Sequence, residues 1–399
     1  MGCSLDLHKN FCLSQFLSRV WARVLANRIP LYELHKSFGA SFGIFAGWEA
    51  PINYASVLEE HMAVRKNVGI FDLSHMGRLV VEGPDAFKLL DKLVPRSIES
   101  EQGMMVGPTA FLNEWAGIKD DVMLYNLGDK WLVVTNAINR DKIRGWLEQN
   151  IEKFKLDAKV SDKTLEWVLI AIQGPKAIKA VEALGAPKEV LELQPLRFLE
   201  NVFFEKARAK ALIVSRSGWT GEDGFEIVAE AGEGEKILRL LHDKSFTFCG
   251  LAARDSLRME MGFLLYEHEI DENITPVEAR YWLVFTPGPK KDCIGCGALI
   301  EKLKKGVERV RVGLKLSKKA RIVPRKGDKV FIEDVEIGEI TSGAYSPVLG
   351  RSVAQAYVDV RHALLGMRVE VERRGKRYPA KIVEPPFVQS TSALGKPVL

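Results

Sequence analysis

The chain has 399 residues, of which 47% are hydrophobic and 27% are charged, a composition typical of a folded globular protein with two or three domains. Its formal net charge of +5 is too small to predict nucleic-acid binding, although it would favour an acidic partner or an anionic small molecule. The sequence contains no run of 18 apolar residues, so we predict no membrane-spanning segment and no membrane partner.

The first 30 residues form an N-terminal extension whose role the sequence leaves open. Residues 11–28 are apolar and basic, as in a mitochondrial presequence, but an added amphipathic helix or a misassigned start fits equally well. The five cysteines are too few and too scattered for a disulfide framework, which is consistent with a reducing compartment. We therefore expect a cytoplasmic protein, or one of the mitochondrial matrix if the extension is a presequence.

Helices and strands are mixed between residues 31 and 286. Residues 57–67 predict a helix, and Gly83-Pro84-Asp85 begins a second helix that runs to about residue 93. Two β-rich runs, 119–126 and 130–135, flank Leu127-Gly128-Asp129, which is a hairpin signal. Further strands are predicted at 78–81, 211–215 and 225–229.

The pattern changes to short strands and glycine turns near residue 287. Such regular short strands favour a small antiparallel barrel or sandwich. The sequence therefore predicts an α+β protein with a larger domain at 31–286 and an all-β domain at 287–399. The predicted C-terminal strands are 310–314, 329–332, 337–340, 354–360, 368–371 and 379–382.

No familiar cofactor motif is present, since the sequence lacks a phosphate-binding loop, a dinucleotide fingerprint, a nucleophile elbow and paired metal-binding histidines. We therefore expect neither a metal nor a nucleotide. Cys293 and Cys296 could be a redox pair or half of a zinc site, but a structural zinc needs four ligands and no second pair is visible. We interpret them as two ordinary thiols before a helix.

Two aspartates open an otherwise apolar strand. Because side chains alternate between the faces of a strand, only Asp121 can share a face with Met123 and Tyr125. Both faces are apolar, so burial would raise the pKa of at least one carboxyl unless donors compensate, and such a group is a candidate base or electrostatic stabiliser. The alternative is a pair of acids at a solvated strand start.

Two further polar clusters could bind a ligand. Residues 215–226 form a glycine-rich loop, and Glu226 at its end could accept two hydrogen bonds from an amidine-like edge, although a purely structural turn is an alternative. Residues 250–260 read as a helix on which Arg254 and Arg258 lie one turn apart. Their like charges need anions nearby, which either Asp255 and Glu260 or a ligand carboxylate could supply.

Eleven segments, in order and at matching spacing from about residue 31 to 388, resemble the glycine cleavage T-protein family. Together they are far more specific than any one of them. The segments are FAGWEAP at 45–51, EEHMAVR at 59–65, GIFDLSHMG at 69–77, GIKDD at 117–121, TNA at 135–137, QGP at 173–175, GWTGEDGFE at 218–226, LAARDSLR at 251–258, DENITP at 271–276, GEITSG at 338–343 and YSP at 345–347.

The resemblance implies a three-domain cloverleaf around a cavity for tetrahydrofolate, a co-substrate that accepts a one-carbon unit from the lipoyl-bearing H-protein as ammonia leaves. Asp121 would be the catalytic carboxylate. The residues implied to contact folate are Glu226, Arg254, Trp219, Met76, Asn136 and Tyr125.

This chain departs from the family pattern at a few positions. Pro108 and Trp219 stand where the family often has tyrosine, and Glu267 follows Tyr266 where the family usually has glycine. A non-catalytic folate-binding protein and another folate-dependent demethylase remain alternatives, as does a redox or metal-binding module that uses Cys293 and Cys296.

Overall fold

The computed structural model describes residues 26–390. The hypotheses for the N-terminal extension fall mainly on residues 1–25 and so lie outside the described residues. The described part begins with a three-stranded sheet in which the third strand lies between the other two. Its elements are β1 (Asn27–Arg28), α1 (Tyr32–Ser37), β2 (Ser41–Phe45), β3 (Trp48–Asn53) and α2 (Val57–Lys66).

Helix α2 begins where the sequence predicts it, because Ser56 caps it. The Ser56 side chain accepts from the Glu59 backbone N–H, and the Glu59 side chain accepts from that of Ser56. The next helix, α3 (Ala86–Leu93), follows Gly83-Pro84-Asp85, which confirms the second predicted helix start.

Five antiparallel strands form the first large sheet. They are β5 (Gly77–Glu82), β6 (Met105–Leu112), β7 (Ile118–Asn126), β8 (Lys130–Thr135) and β9 (Lys159–Asp162), in the order β6-β7-β8-β5-β9. Val122 and Leu124 of β7 pack toward α3 and α4 (Arg140–Phe154). The alternate side chains of β7, which include Met123 and Tyr125, lie on the opposite face.

Six strands form the second large sheet. They are β4 (Gly69–Asp72), β10 (Trp167–Gln173), β11 (Phe198–Phe204), β12 (Ala209–Ser215), β13 (Gly224–Glu230) and β14 (Thr247–Phe248), in the order β11-β12-β13-β10-β4-β14. One face is covered by α5 (Ala177–Leu184), α6 (Lys188–Leu191) and α7 (Ala231–Asp243).

The inner faces of the two large sheets share one hydrophobic core. Leu132 and Val134 come from the first sheet, and Leu169 and Val228 come from the second. Helix α8 (Leu251–Met261) adds Leu257 to the same core. The two sheets and α8 therefore enclose a common interior, and any polar side chain aimed inward enters it.

The C-terminal part is a closed antiparallel barrel that follows helix α9 (Cys296–Lys305). Its strands are β15 (Arg309–Leu316), β16 (Lys329–Ile332), β17 (Val335–Ser346), β18 (Arg351–Asp359), β19 (Arg368–Arg373) and β20 (Lys376–Val383), and β15 pairs with β20 to close it. Short 3-10 helices cover Ala137–Asn139, Trp282–Phe285 and Val360–His362. The predicted α+β class and the barrel are confirmed. From residue 26 to 390 no helix is long and apolar enough to cross a membrane.

The interpretation of Cys293 and Cys296 as ordinary thiols is wrong, since the structure joins them in a disulfide with Cα atoms 5.2 Å apart. Gly295 between them has a φ of +78°, a backbone conformation that glycine adopts without steric cost. The turn that it makes at the start of α9 brings the two sulfur atoms together.

Candidate active site

The interior between the two sheets and α8 contains a cavity with mostly apolar walls. Phe45, Val134 and Leu169 are among the wall residues, and Pro108 lies among them as well. All seven residues singled out from the sequence line this one cavity. They are Asp121, Glu226, Arg254, Trp219, Met76, Asn136 and Tyr125.

Asp121 reaches the cavity from β7, on the face that the strand alternation predicts. Its two carboxylate oxygens are held separately, since Asn136 Nδ2 donates to Oδ1 at 2.7 Å and the Tyr281 hydroxyl donates to Oδ2 at 3.1 Å. Burial raises the pKa of the Asp121 carboxyl, and the two hydrogen bonds offset part of that rise. Asp121 is therefore a fixed carboxyl group with an increased proton affinity.

Asp120 points to the other face of β7 and is completely buried. It accepts from the Asn136 backbone N–H at 3.0 Å, from Asn136 Nδ2 at 2.8 Å and from Asn139 Nδ2 at 2.7 Å. Burial and the neighbouring Asp121 charge raise the pKa of Asp120. The alternative of two acids at a solvated strand start is wrong, because β7 begins in the interior of the sheet.

Glu226 enters the cavity from β13, at the end of the glycine-rich loop. The Ser217 hydroxyl donates to Glu226 Oε2 at 2.6 Å, and Ser215 Oγ lies 2.8 Å from Ser217 Oγ. Tyr125 is buried nearby, and burial followed by the Glu226 charge raises the pKa of its phenol. In the described part of the chain no hydrogen bond reaches Glu226 Oε1, so one edge of the carboxylate is available to a ligand.

Arg254 and His75 each keep an unsatisfied nitrogen in the cavity. Among residues 26–390 neither Arg254 Nη1 nor His75 Nδ1 has a hydrogen-bond partner, although both atoms are buried. Burial lowers the pKa of Arg254, and the Glu226 charge opposes that change. Burial and the Arg254 charge lower the pKa of His75 to about 3, so this imidazole is neutral at physiological pH. Both nitrogens are therefore candidate donors or acceptors for a polar ligand in the cavity.

The anions near the two arginines of α8 differ in part from the sequence hypothesis. Asp255 does pair with Arg258, at 2.8 Å, but the second carboxylate is Glu269, at 2.9 Å. Glu260 faces away from Arg258 because it lies on the side of α8 that packs against α2, where Arg65 binds it at 2.9 Å. Arg258 is thereby paired with two carboxylates, whereas Arg254 forms no ion pair within 4 Å among residues 26–390 and interacts with the Glu226 charge at longer range.

Trp219 and Met76 form part of the cavity wall. The Trp219 ring packs against Phe263 with centroids 4.6 Å apart, so the tryptophan that replaces the family's tyrosine keeps an aromatic contact. Among the described residues, no group of three or more His, Cys, Asp or Glu side chains is arranged to hold a metal ion.

Comparison with known proteins places this cavity in a family. Residues 31–285 match the family model of the GCVT N-terminal domain, and residues 309–389 match that of the glycine cleavage T-protein C-terminal barrel domain. The chain belongs to the glycine cleavage T-protein family. The members of this family that it resembles are aminomethyltransferases, which are transferase enzymes.

The similarity to individual T-proteins extends over almost the whole chain. A probable aminomethyltransferase of Aeropyrum pernix is 44% identical over 90% of this chain and 96% of its own length. The aminomethyltransferase of Shouchella clausii is 36% identical over 91% of this chain and 98% of its own. A crystal structure of the glycine cleavage system aminomethyltransferase T from Bartonella henselae has a TM-score of 0.82 and 37% identity, and covers 91% of this chain and 98% of that one.

The sequence analysis does not predict every polar residue that lines this T-protein cavity. His75 lies inside the GIFDLSHMG segment, and Ser217 lies inside the glycine-rich loop, so both carried a signal that could have been used. Tyr281 carried none, because 160 residues separate it from Asp121. The sequence identifies Asp120 as one of two adjacent acids, but it does not identify the amide groups that donate hydrogen bonds to Asp120.

Proposed function

We propose that this T-protein is the aminomethyltransferase of a glycine cleavage system. In this reaction the methylene carbon of an aminomethyl group, carried on a sulfur atom of the lipoyl arm of an H-protein, passes to tetrahydrofolate. Two bonds from folate nitrogens to that carbon form while its bonds to sulfur and to the amino nitrogen break, so the products are methylene-tetrahydrofolate, ammonia and the dihydrolipoyl arm. The observation that carries the proposal is the convergence of Asp121, Glu226 and Arg254 on one cavity with apolar walls. A cavity that combines apolar walls with a few convergent polar groups is the usual form of a small-molecule site.

The cavity residues fit a reduced folate. Glu226 can accept from the amino-pyrimidine edge of the pterin, since the Ser217 hydroxyl donates to Oε2 and leaves Oε1 for the ligand. Arg254 Nη1 and His75 Nδ1 have no hydrogen-bond partner in the described part of the chain and are available to polar groups of the ligand. Trp219 and Met76 would contact its apolar faces. Tetrahydrofolate supplies, when bound, the nitrogens that accept the one-carbon unit.

Asp121 has two tasks in this proposal. The positive charge that develops on the methylene carbon and nitrogens is stabilised by a carboxylate that is already oriented, because Asn136 and Tyr281 hold it before the substrate arrives. Its raised proton affinity favours the exchange of a proton with the substrate nitrogens. The apolar walls exclude water, which strengthens both effects.

The test is ammonia release by the purified protein with tetrahydrofolate and aminomethylated H-protein. We expect Asp121→Ala to lower the rate by about 10²–10⁴-fold, the usual cost of losing a group that exchanges protons in the transition state. Asp141→Asn is the matched control, since Asp141 is exposed on α4 and does not line the cavity. If the wild-type protein binds tetrahydrofolate but releases no ammonia, it is a folate-binding protein without this activity.

A further inference from the structure

Asp120 is an unusual residue for the interior of a sheet. It is completely buried, and among residues 26–390 no lysine, arginine or histidine forms an ion pair with it. Three amide N–H groups take the place of a counter-ion, two from Asn136 and one from Asn139. Burying a carboxyl group in this way is costly unless the donors are well placed, so its retention requires a reason.

The Asn136 side chain connects Asp120 to the cavity. The nitrogen Nδ2 lies 2.8 Å from Asp120 Oδ1 and 2.7 Å from Asp121 Oδ1. An amide NH₂ group carries two hydrogens, so it can donate one to each carboxylate. The Asn136 backbone N–H donates to the second oxygen of Asp120, which fixes the rotation of the asparagine relative to β7.

We propose that Asp120 is a positioning residue for the transfer reaction, because it orients the Asn136 amide that holds Asp121. This inference rests on the proposed function. Asp120 itself does not line the cavity, so it acts on the substrate only through its two neighbours.

The groups around Asp120 include N–H donors but, among residues 26–390, no cationic side chain paired with it. Asp121 lies on the other side of Asn136, whose side chain donates to both carboxylates. Among residues 26–390 the phenols of Tyr281 and Tyr266 are the other titratable groups that interact with Asp120. Two carboxyl groups that share a donor at this range cannot both lose their protons easily, so the pair titrates as a unit. Among residues 26–390 the hydrogen-bond partners of Asp120 are N–H groups, which cannot accept a hydrogen bond from a protonated carboxyl. Asp121 Oδ2 faces the Tyr281 hydroxyl, which can either donate or accept, so this geometry favours the anion on Asp120 and the exchangeable proton on Asp121.

The test is the pH profile of kcat for ammonia release in Asp120→Asn. Without the negative neighbour, Asp121 binds its proton less tightly, so the acidic limb of the profile should move to lower pH by about one unit. We expect kcat at its optimum to fall at least tenfold, because Asn136 is no longer oriented, whereas KM for tetrahydrofolate should change less than threefold. Asn139→Ala removes one donor from Asp120 without touching Asp121, and should shift the limb in the same direction by a smaller amount.

Each outcome bears on the inference. A lower kcat with an unmoved acidic limb would give Asp120 only a structural role, and an unchanged kcat and profile would give it none. Carboxyl carbon NMR of Asp121 in the folded Asp120→Asn variant provides a readout that does not need activity, and an unshifted titration would overturn the inference. Absence of ammonia release from the wild-type protein would instead contradict the proposed function.

Discussion

Single hydroxyl groups orient the acids of this cavity. The Ser217 hydroxyl donates to Glu226 at 2.6 Å, and the Tyr281 hydroxyl donates to Asp121 at 3.1 Å. A hydrogen bond to a charged acceptor contributes about 1.5–3 kcal/mol when it is well aligned. Each carboxylate therefore has one preferred direction before a ligand binds, and the cost of ordering it is not subtracted from the binding energy.

Ser217→Ala tests whether a single hydroxyl group orients Glu226 for ligand binding. Glu226 keeps its charge but loses the donor that orients it, so we expect the Kd for tetrahydrofolate to rise about three- to tenfold, equivalent to roughly 1 kcal/mol. Titration with tetrahydrofolate, followed through tryptophan fluorescence, measures the change. Ser97→Ala is the control, because Ser97 is an exposed serine outside the cavity. An unchanged Kd in Ser217→Ala would mean that Glu226 does not contact the pterin.

At the scale of elements, the turn between β6 and β7 fixes the positions of Asp120 and Asp121. Gly117 approaches the chain so closely that a Cβ atom there would lie 1.8 Å from the Glu272 carbonyl oxygen. The same turn is held by Asn113, whose Oδ1 accepts from the Gly117 N–H at 2.8 Å and whose Nδ2 donates to the Glu272 carbonyl at 2.9 Å. The start of β7 is thus tied to the segment after α8.

Gly117→Ala should therefore destabilise the protein, because backbone must move to make room for the methyl group. We expect a loss of at least about 2 kcal/mol and a decrease in Tm of several degrees in scanning calorimetry. Gly145→Ala is the matched control. Gly145 lies within α4 with no atom near the position of its added Cβ, so the same substitution should stabilise the protein by up to about 1 kcal/mol. Equal effects from both variants would contradict this account.

For the whole molecule, Glu260 is one of the residues that connect the cavity-bearing part to the barrel. It is completely buried on α8, where it accepts from His61 and Arg65 of α2 and from Ser346 of β17. Burial by itself would raise the pKa of Glu260, but the hydrogen bond from His61 and the charges of His61 and Arg65 outweigh it. The net pKa therefore lies below the ordinary value of 4.5.

The lowered pKa of Glu260 predicts an acid dependence of stability. The folded state binds this proton less readily than the unfolded state, so the stabilisation is complete above about pH 4.5 and is lost as the pH falls through the lower pKa of the folded state. Tm should decrease over that acidic range, and the decrease should be shallower in Glu260→Gln, which starts from a lower Tm at pH 7. A variant with the same acid dependence as the wild type would assign the effect to other carboxylates, such as Asp72 and Glu269.

Local patterns in the sequence account for much of this fold. The alternation of β7 correctly placed Asp121, Met123 and Tyr125 on one face, and the short strands separated by glycine predicted all six strands of the barrel. These features depend on neighbours in sequence, so periodicity is sufficient to find them. The same reasoning predicted increased proton affinity for a buried carboxyl at the start of β7.

The remaining features depend on contacts between distant segments, which periodicity cannot predict. Tyr281 and His61 reach their carboxylate partners across 160 and 199 residues of sequence. The disulfide between Cys293 and Cys296 depends on the backbone turn at Gly295. The pairing of Arg258 with Glu269 instead of Glu260 depends on the rotation of α8 about its axis.

We also propose that the domains are residues 31–286 and 287–399, a division that limited proteolysis can test.

Helix α8 presents Arg254 to the cavity and, less than two turns later, Glu260 to the barrel. Because the same helix packs against both the cavity and the barrel, we expect the two parts to unfold together, in a single calorimetric transition. Occupying Arg254 with a folate should raise the melting temperature of the barrel strands, which lie outside the cavity, by the amount that mass action gives for the whole protein. Heat resistance of the C-terminal barrel would thus report on occupancy of the folate site.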